Sequence, residues 1–190
     1  MQVVRNASLA LALGLSFAGA MAGEIANSAI GATGAVNSSV GFMTNANQNI
    51  GVAEQNAKID GTAVSVNGAV NSAVGFNSTA SQSVGRATQN GKMSNSVVMA
   101  NGLNNSAVGF MSTATQEVGF AKDNGTVENS QVIATGASNI AAGFNSSARQ
   151  QIGGAQGNGK LRNTLVLASG AVNTSGGGMS HANQAIGVAK

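Results

Sequence analysis

The chain has 190 residues, a formal net charge of +3, only 8% charged residues, and no Cys, Pro, Trp or Tyr. Its few Lys and Arg are scattered, which excludes the clustered basic face of a nucleic-acid binder. Without cysteine it has no disulfide framework to stabilise a small exported domain.

The N-terminus reads as a secretory signal. Arg5 supplies the positive n-region, Ala7 to Ala20 a short apolar stretch, and Ala20-Met21-Ala22 a small-residue cleavage site. The apolar stretch falls short of the roughly 20 residues that a membrane span needs. Cleavage after Ala22 would leave residues 23–190 as a single repeat domain, exported and without membrane insertion.

From residue 27 onward the text repeats every 34 residues, in units 27–60, 61–94, 95–128, 129–162 and 163–190, with no insertion between them. Such a period marks a stack of units that bury apolar surface against their neighbours. Five columns carry the pattern. Glycine holds two of them, Gly34, Gly68, Gly102, Gly136 and Gly170, and Gly51, Gly85, Gly119, Gly153 and Gly187. A third is Gln48, Gln82, Gln116, Gln150 and Gln184. Asn37, Asn71, Asn105, Asn139 and Asn173 form the fourth, and Phe42, Phe76, Phe110 and Phe144 the fifth. A polar, Gly-rich composition also suits disorder, but columns held in register over five copies argue against it.

Within a unit the helical reading fails, because Gly and Asn recur at interior places and no 3.6-residue apolar stripe survives. Period two fits instead. In 35–42 (AVNSSVGF) one face carries Val36, Ser38, Val40 and Phe42, and the other is small with Asn37 in its middle. A second strand follows at 46–53, with Ala46, Gln48 and Ile50 on one face. A third precedes the first, as at 96–100 and 131–134. Asn90-Gly91, Asn124-Gly125 and Asn158-Gly159 are turn signals between units.

The expected fold is therefore all-β, a parallel β-solenoid or cross-β stack with about three short strands per rung. Stacking identical rungs at about 4.7–4.8 Å turns columns into ladders. The phenylalanines are expected as a buried aromatic ladder, the Asn and Gln columns as amide ladders inside a dry stack, and the glycines as bends or points of close approach. Lys58, Lys92 and Lys160 share a column, so it belongs on an exposed rim where water screens like charges.

Candidates for chemistry are few. Residues 154–160 fit GxxxxGK, but Leu161 stands where a phosphate loop needs Ser or Thr, and Asn158-Gly159-Lys160 is this unit's copy of the recurring turn. His181 is the only histidine, and Glu54, Asp60, Glu117, Asp123 and Glu128 fall in different columns. The text offers no catalytic set, metal site or cofactor motif. Asn-x-Ser/Thr at Asn37, Asn77, Asn124, Asn145 and Asn173 is what Asn- and Ser-rich text yields by chance.

No capping extension is read at either end, so the terminal rungs are expected to recruit further copies head to tail into a filament. Gly176 and Gly178 replace Val and Phe in the last unit and would weaken its rung.

Gly68-Ala69-Val70-Asn71-Ser72-Ala73-Val74-Gly75 followed by Gln82, with its copy from Gly34 to Gly41 and Gln48, resembles the repeat of the Fap functional-amyloid fibres of pseudomonads. An extra Ala after the first Gly and a late Gln depart from that repeat. Curlin subunits are the second resemblance, through Asn71-Ser72-Ala73 and the spaced Gln and Gly, although their repeats are shorter. The Fap resemblance implies passage through the periplasm with a chaperone, export by an outer-membrane pore, and a cross-β fibre of the extracellular biofilm matrix. It implies homopolymerisation and a related major subunit as partner. The major Fap subunit ends in a Cys-x-x-Cys motif that is missing here, which points to a minor or nucleating subunit. The competing expectation is a soluble secreted β-solenoid that binds a surface, such as an adhesin or ice-binding module. That reading calls for a flat, regularly spaced Thr or aromatic face open to solvent.

Overall fold

The computed structural model describes residues 23–54 and 56–190. The signal segment 1–22 lies outside the described residues. Those described form a β-solenoid of about five turns with no helix. Each turn lays one strand on each of three sheets and adds a strand or a single bridge to a fourth.

Sheet A is short, with strands Glu24–Ala26, Lys58–Asp60 and Met93–Ser94, extended by single bridges from Ser94 to Glu128 and from Glu128 to Arg162. Sheet B contains Ala29–Thr33, Ala63–Asn67, Val97–Asn101, Gln131–Thr135 and Leu165–Ser169. Sheet C contains Val36–Gly41, Val70–Gly75, Asn104–Val108, Ser138–Ala142 and Val172–Gly176. Sheet D contains Ala46–Gln48, Thr79–Gln82, Thr113–Gly119, Asn145–Gly153 and Met179–Gly187. All pairings are parallel and every register step is one repeat, as in Val64↔Val98↔Val132↔Val166.

Sheet A is the one strand per rung beyond the three expected. Lys58 and Asp60 flank Ile59, which is fully buried. Three residues of charged–apolar–charged text carry too little periodicity to read as a strand, and the charges drew the segment to the rim.

The corners follow from backbone sterics. Asn27, Gly61, Asn95, Asn129 and Asn163 turn sheet A into sheet B at φ between 45° and 56°, a left-handed region that only Gly and Asn enter cheaply. The next corner, from B to C, is the first glycine column, Gly34 to Gly170, at φ between 60° and 69°.

Two cores fill the coil. Between sheets A, B and the C-terminal half of sheet D lie Ile59, Val64, Met93, Val98, Val118, Val132 and Ile152. Between sheets C and D the apolar residues are all alanines: Ala46, Ala73, Ala80, Ala107, Ala114, Ala141 and Ala148. This second layer is thin, because Asn71 and Asn105 of sheet C reach the backbone of sheet D directly. A Val or Phe side chain has no room there.

That thinness overturns one expectation. The phenylalanine column is not buried: Phe42, Phe76, Phe110 and Phe144 are 71%, 47%, 46% and 51% exposed. The small face of sheet C, with its asparagine, points inward, and the bulky Val/Phe face points to solvent. Hydrophobicity alone would orient the strand the other way. Hydrogen bonding of a buried amide to the facing sheet decides it.

Candidate functional site

The asparagine ladder is built from the middle residue of each sheet C strand. Nδ2 of Asn37, Asn71, Asn105 and Asn139 donates to Oδ1 of the next rung's asparagine at 3.1, 2.8, 2.7 and 2.7 Å. The same nitrogen donates within its own rung to a sheet D carbonyl ten residues on: Asn47, Ser81, Thr115, Arg149 and Asn183 for the five asparagines in turn. Asn71, Asn105 and Asn139 are completely buried. Each amide therefore fixes the distance between two sheets and the register between two rungs, and all five point the same way.

The glutamine column is also brought together, but not as one run. Gln48 donates to Gln82 at 3.0 Å and Gln82 to Gln116 at 2.9 Å. Gln184 donates in the opposite sense to Gln150 at 3.0 Å, while Gln150 turns its nitrogen to the Ala137 carbonyl. The two senses meet between Gln116 and Gln150, and Nε2 of Gln116 is left without a partner. Gln150 thus reaches a carbonyl at the B-to-C corner, whereas the ladder asparagines reach carbonyls of the facing sheet D.

The phenylalanines stack face to face, with centroids 5.1, 5.1 and 5.2 Å apart and planes within 8°. The row ends at Gly178, beside the Phe144 ring. The second glycine column serves close approach to the neighbouring sheet: a Cβ at Gly51, Gly85 or Gly119 would lie 2.8 Å from Val64, Val98 or Val132. Gly119, Gly153 and Gly187 of that column also have φ of 77°, 112° and 90°.

Three further columns were present in the text without standing out. Ser28, Thr62, Ser96, Ser130 and Thr164 each donate to the carbonyl two residues back, at the A-to-B corner. The invariance of a hydroxyl in all five rungs was the available signal. Asn56, Asn90, Asn124 and Asn158, seen in sequence mainly as turn residues, form an exposed amide ladder at 3.2, 2.9 and 2.8 Å. At the C-to-D corner, a Cβ on Gly75, Gly109, Gly143 or Gly177 would collide with the backbone oxygen of the previous rung's glycine.

Phe120, outside the ladder column, is fully buried. Nζ of Lys122 lies 4.8 Å from its ring centroid and 2.5 Å from Glu117. On the rim, Lys58 donates to Glu24 at 2.6 Å, and that hydrogen bond and charge hold its ammonium pKa above the ordinary 10.5. Thr126 interrupts the lysine column between Lys92 and Lys160, which are both exposed.

Residues 154–160 lie in the loop between sheets D and A, with Asn158 in the exposed amide ladder. His181 sits on the outer face of sheet D, beside a shallow groove of about 300 Å3 lined also by Arg149, Asn183 and Lys190. Among the described residues no three His, Cys, Asp or Glu gather as a metal site, and no helix is long and apolar enough to cross a membrane.

What the arrangement offers is a set of ladders with two ends. The sheet edges are the strands of rung one and rung five. Oδ1 of Asn37 accepts no bond from a preceding asparagine. Asn173 binds the Asn183 carbonyl and, at 3.2 Å, the Ala148 carbonyl, and has no following amide. Comparison with protein-family models, with curated protein sequences and with solved structures gives no match to this chain.

Proposed function

We propose that this chain is a secreted structural subunit, with no catalytic role, whose copies add end to end into extracellular fibres of a biofilm matrix. The observation that supports this most directly is the polarity of the asparagine ladder. An amide acceptor faces out at one edge and an amide donor at the other, in strands whose backbone groups are open in the same register. A further copy added in phase would continue the Asn, Phe and backbone ladders without changing any rung. Such addition is heterologous and does not close on itself. Export through the periplasm, an outer-membrane pore, a related major subunit and a nucleating role belong to the same proposal and come from the Fap resemblance.

The test is incubation of the purified chain at micromolar concentration with an amyloid dye, followed by fibre diffraction. Dye-positive filaments with a meridional reflection near ~4.7–4.8 Å support the reading. A persistently monomeric, dye-negative protein contradicts it.

One observation favours a second reading, a soluble solenoid that binds a surface. The phenylalanine column is open to solvent at 5.1–5.2 Å spacing, which is the exposed, regularly spaced aromatic face that such a reading calls for.

A further inference from the structure

We infer that the outer face of sheet C is an interface between two copies of this chain, laid face to face so that their Val and Phe rows interdigitate. This pairing is lateral and does not depend on end-to-end addition.

The row of Val40, Val74 and Val108 and the phenylalanine row are apolar; the row of Val36, Val70 and Val172 also holds Asn104 and Ser138, and the row between them carries Ser38, Ser72, Ser106, Ile140 and Thr174. Val36, Val40, Val74, Val108 and Val172 are 38–58% exposed, beside the phenylalanine row and Met43, Met111 and Met179. No charged residue occurs anywhere in 35–43, 69–77, 103–111, 137–145 or 171–179. The charges lie on sheets A and D and on the loops joining them. A surface of this kind on a soluble chain marks a contact.

Three arguments choose a second copy as the occupant. First, the five or six strand residues of each rung together with the Phe and Met positions that follow them, about eight residues at no more than about 3.3 Å each, and five rungs at about 4.8 Å give a footprint of at most about 600 Å2 per copy. A pair then covers at most about 1,200 Å2, against the roughly 1,000 Å2 that a specific interface needs. Second, an uncharged face gives a charged partner nothing to recognise but meets its own copy without repulsion. Identical rows at one rung spacing interdigitate as a dry zipper. Third, the rings are parallel within 8° and stacked on each other, so their faces are already occupied and only their edges point outward. A sugar or a cation would need an open ring face; an aliphatic row packs against edges.

An isologous pair brings the centre of the face against itself. That centre is Ser106, the middle residue of the middle strand. Because the chain has no cysteine, Ser106→Cys reports the contact without background. The full chain carrying it is oxidised at micromolar concentration beside Ser65→Cys, on the outer face of sheet B. The expected result is disulfide dimer forming at least about tenfold faster at position 106. Val74→Lys with Val108→Lys in the Ser106→Cys chain should abolish that difference while circular dichroism stays that of the parent.

Where filaments form, mass per length adds an independent reading. A single stack has one chain per ~24 Å and a paired one two. Two chains per repeat, or a dimer without filaments, supports the pairing; a dimer without filaments contradicts only end-to-end growth. Equal oxidation rates at 65 and 106, one chain per repeat, or a monomer that binds phosphatidylcholine vesicles through this face each overturn it.

Discussion

Replacing Asn105 tests the ladder where it is most enclosed. Its side chain accepts from Asn71 at 2.8 Å and donates to Asn139 at 2.7 Å and to the Thr115 carbonyl at 2.6 Å, with no solvent exposure. Asn105→Ala strips a partner from the Asn71 amide, the Asn139 carbonyl and the Thr115 carbonyl. At about 1–3 kcal/mol for each buried group left unpaired, and with some relaxation, the loss is about 4 kcal/mol. Asn105→Asp keeps the shape and the acceptor but sets a carboxylate against two acceptors. Burial and those acceptors oppose ionisation, so the folded-state pKa is raised above the unfolded value near 3.9. A raised carboxyl pKa costs stability above the unfolded value, and that cost fades as pH falls through the folded value. Asn105→Asp is therefore expected to be less stable than Asn105→Ala at pH 7 and to regain ground toward pH 4. Urea unfolding followed by circular dichroism, at concentrations below association, measures both. The exposed Asn101, paired with Asn67 at 3.4 Å, is the control, with Asn101→Ala changing stability by about 0.5 kcal/mol or less. Two variants of position 105 that track each other across pH, or an alanine variant costing under about 1 kcal/mol, would refute the ladder's role.

Four other outcomes follow from the same geometry. Phe110→Ala loses two stacking contacts on an open face and should cost about 1–2 kcal/mol, whereas Phe120→Ala empties a core position and should cost about 3–5 kcal/mol; thermal unfolding ranks them. Gly109→Ala drives a methyl into the Gly75 carbonyl and should cost about 3 kcal/mol, seen as a lowered urea midpoint. The buried hydroxyl of Ser112 has no partner, so Ser112→Ala should leave stability unchanged or raise it by about 1 kcal/mol; a loss of that size counts against the structure there. Lys58, raised above 10.5 by Glu24, contributes its pairing below that value and loses it as pH rises through the folded one. NMR titration should find the Lys58 shift gone in Glu24→Gln and weakened by salt.

Much of this architecture was legible because stacking makes sequence columns into spatial rows. The period gave the rungs, period two gave sheets B, C and D, and the Asn and Gln columns expected inside the stack hold Asn71 and Gln82 as buried amides, with the glutamine row broken between Gln116 and Gln150. The orientation of the Val/Phe face was not legible. Alternation reveals that two faces differ but not which is covered, and the thin space between sheets C and D is filled by alanine, serine and hydrogen-bonded amides. Sheet A escaped because Lys58-Ile59-Asp60 is too short for a pattern. Phe120 escaped because its column holds Val52, Arg86, Gly154 and Val188, so no row announced it. The turn of the glutamine ladder at Gln150 rests on side-chain torsions that leave no trace in composition.

End-to-end addition is tested most directly by a disulfide that only two copies can form. Thr33 and Ser169 are exposed members of one register row on sheet B, at its first and last strands. Within a chain they are four rungs apart, about 19 Å, far beyond the roughly 7 Å that a disulfide spans. Across an in-phase junction they are adjacent. The chain carrying both Thr33→Cys and Ser169→Cys, oxidised after assembly, should run as dimers, trimers and higher species without reductant, while either single variant stops at dimer or stays monomeric. A double variant that never passes dimer would contradict the account.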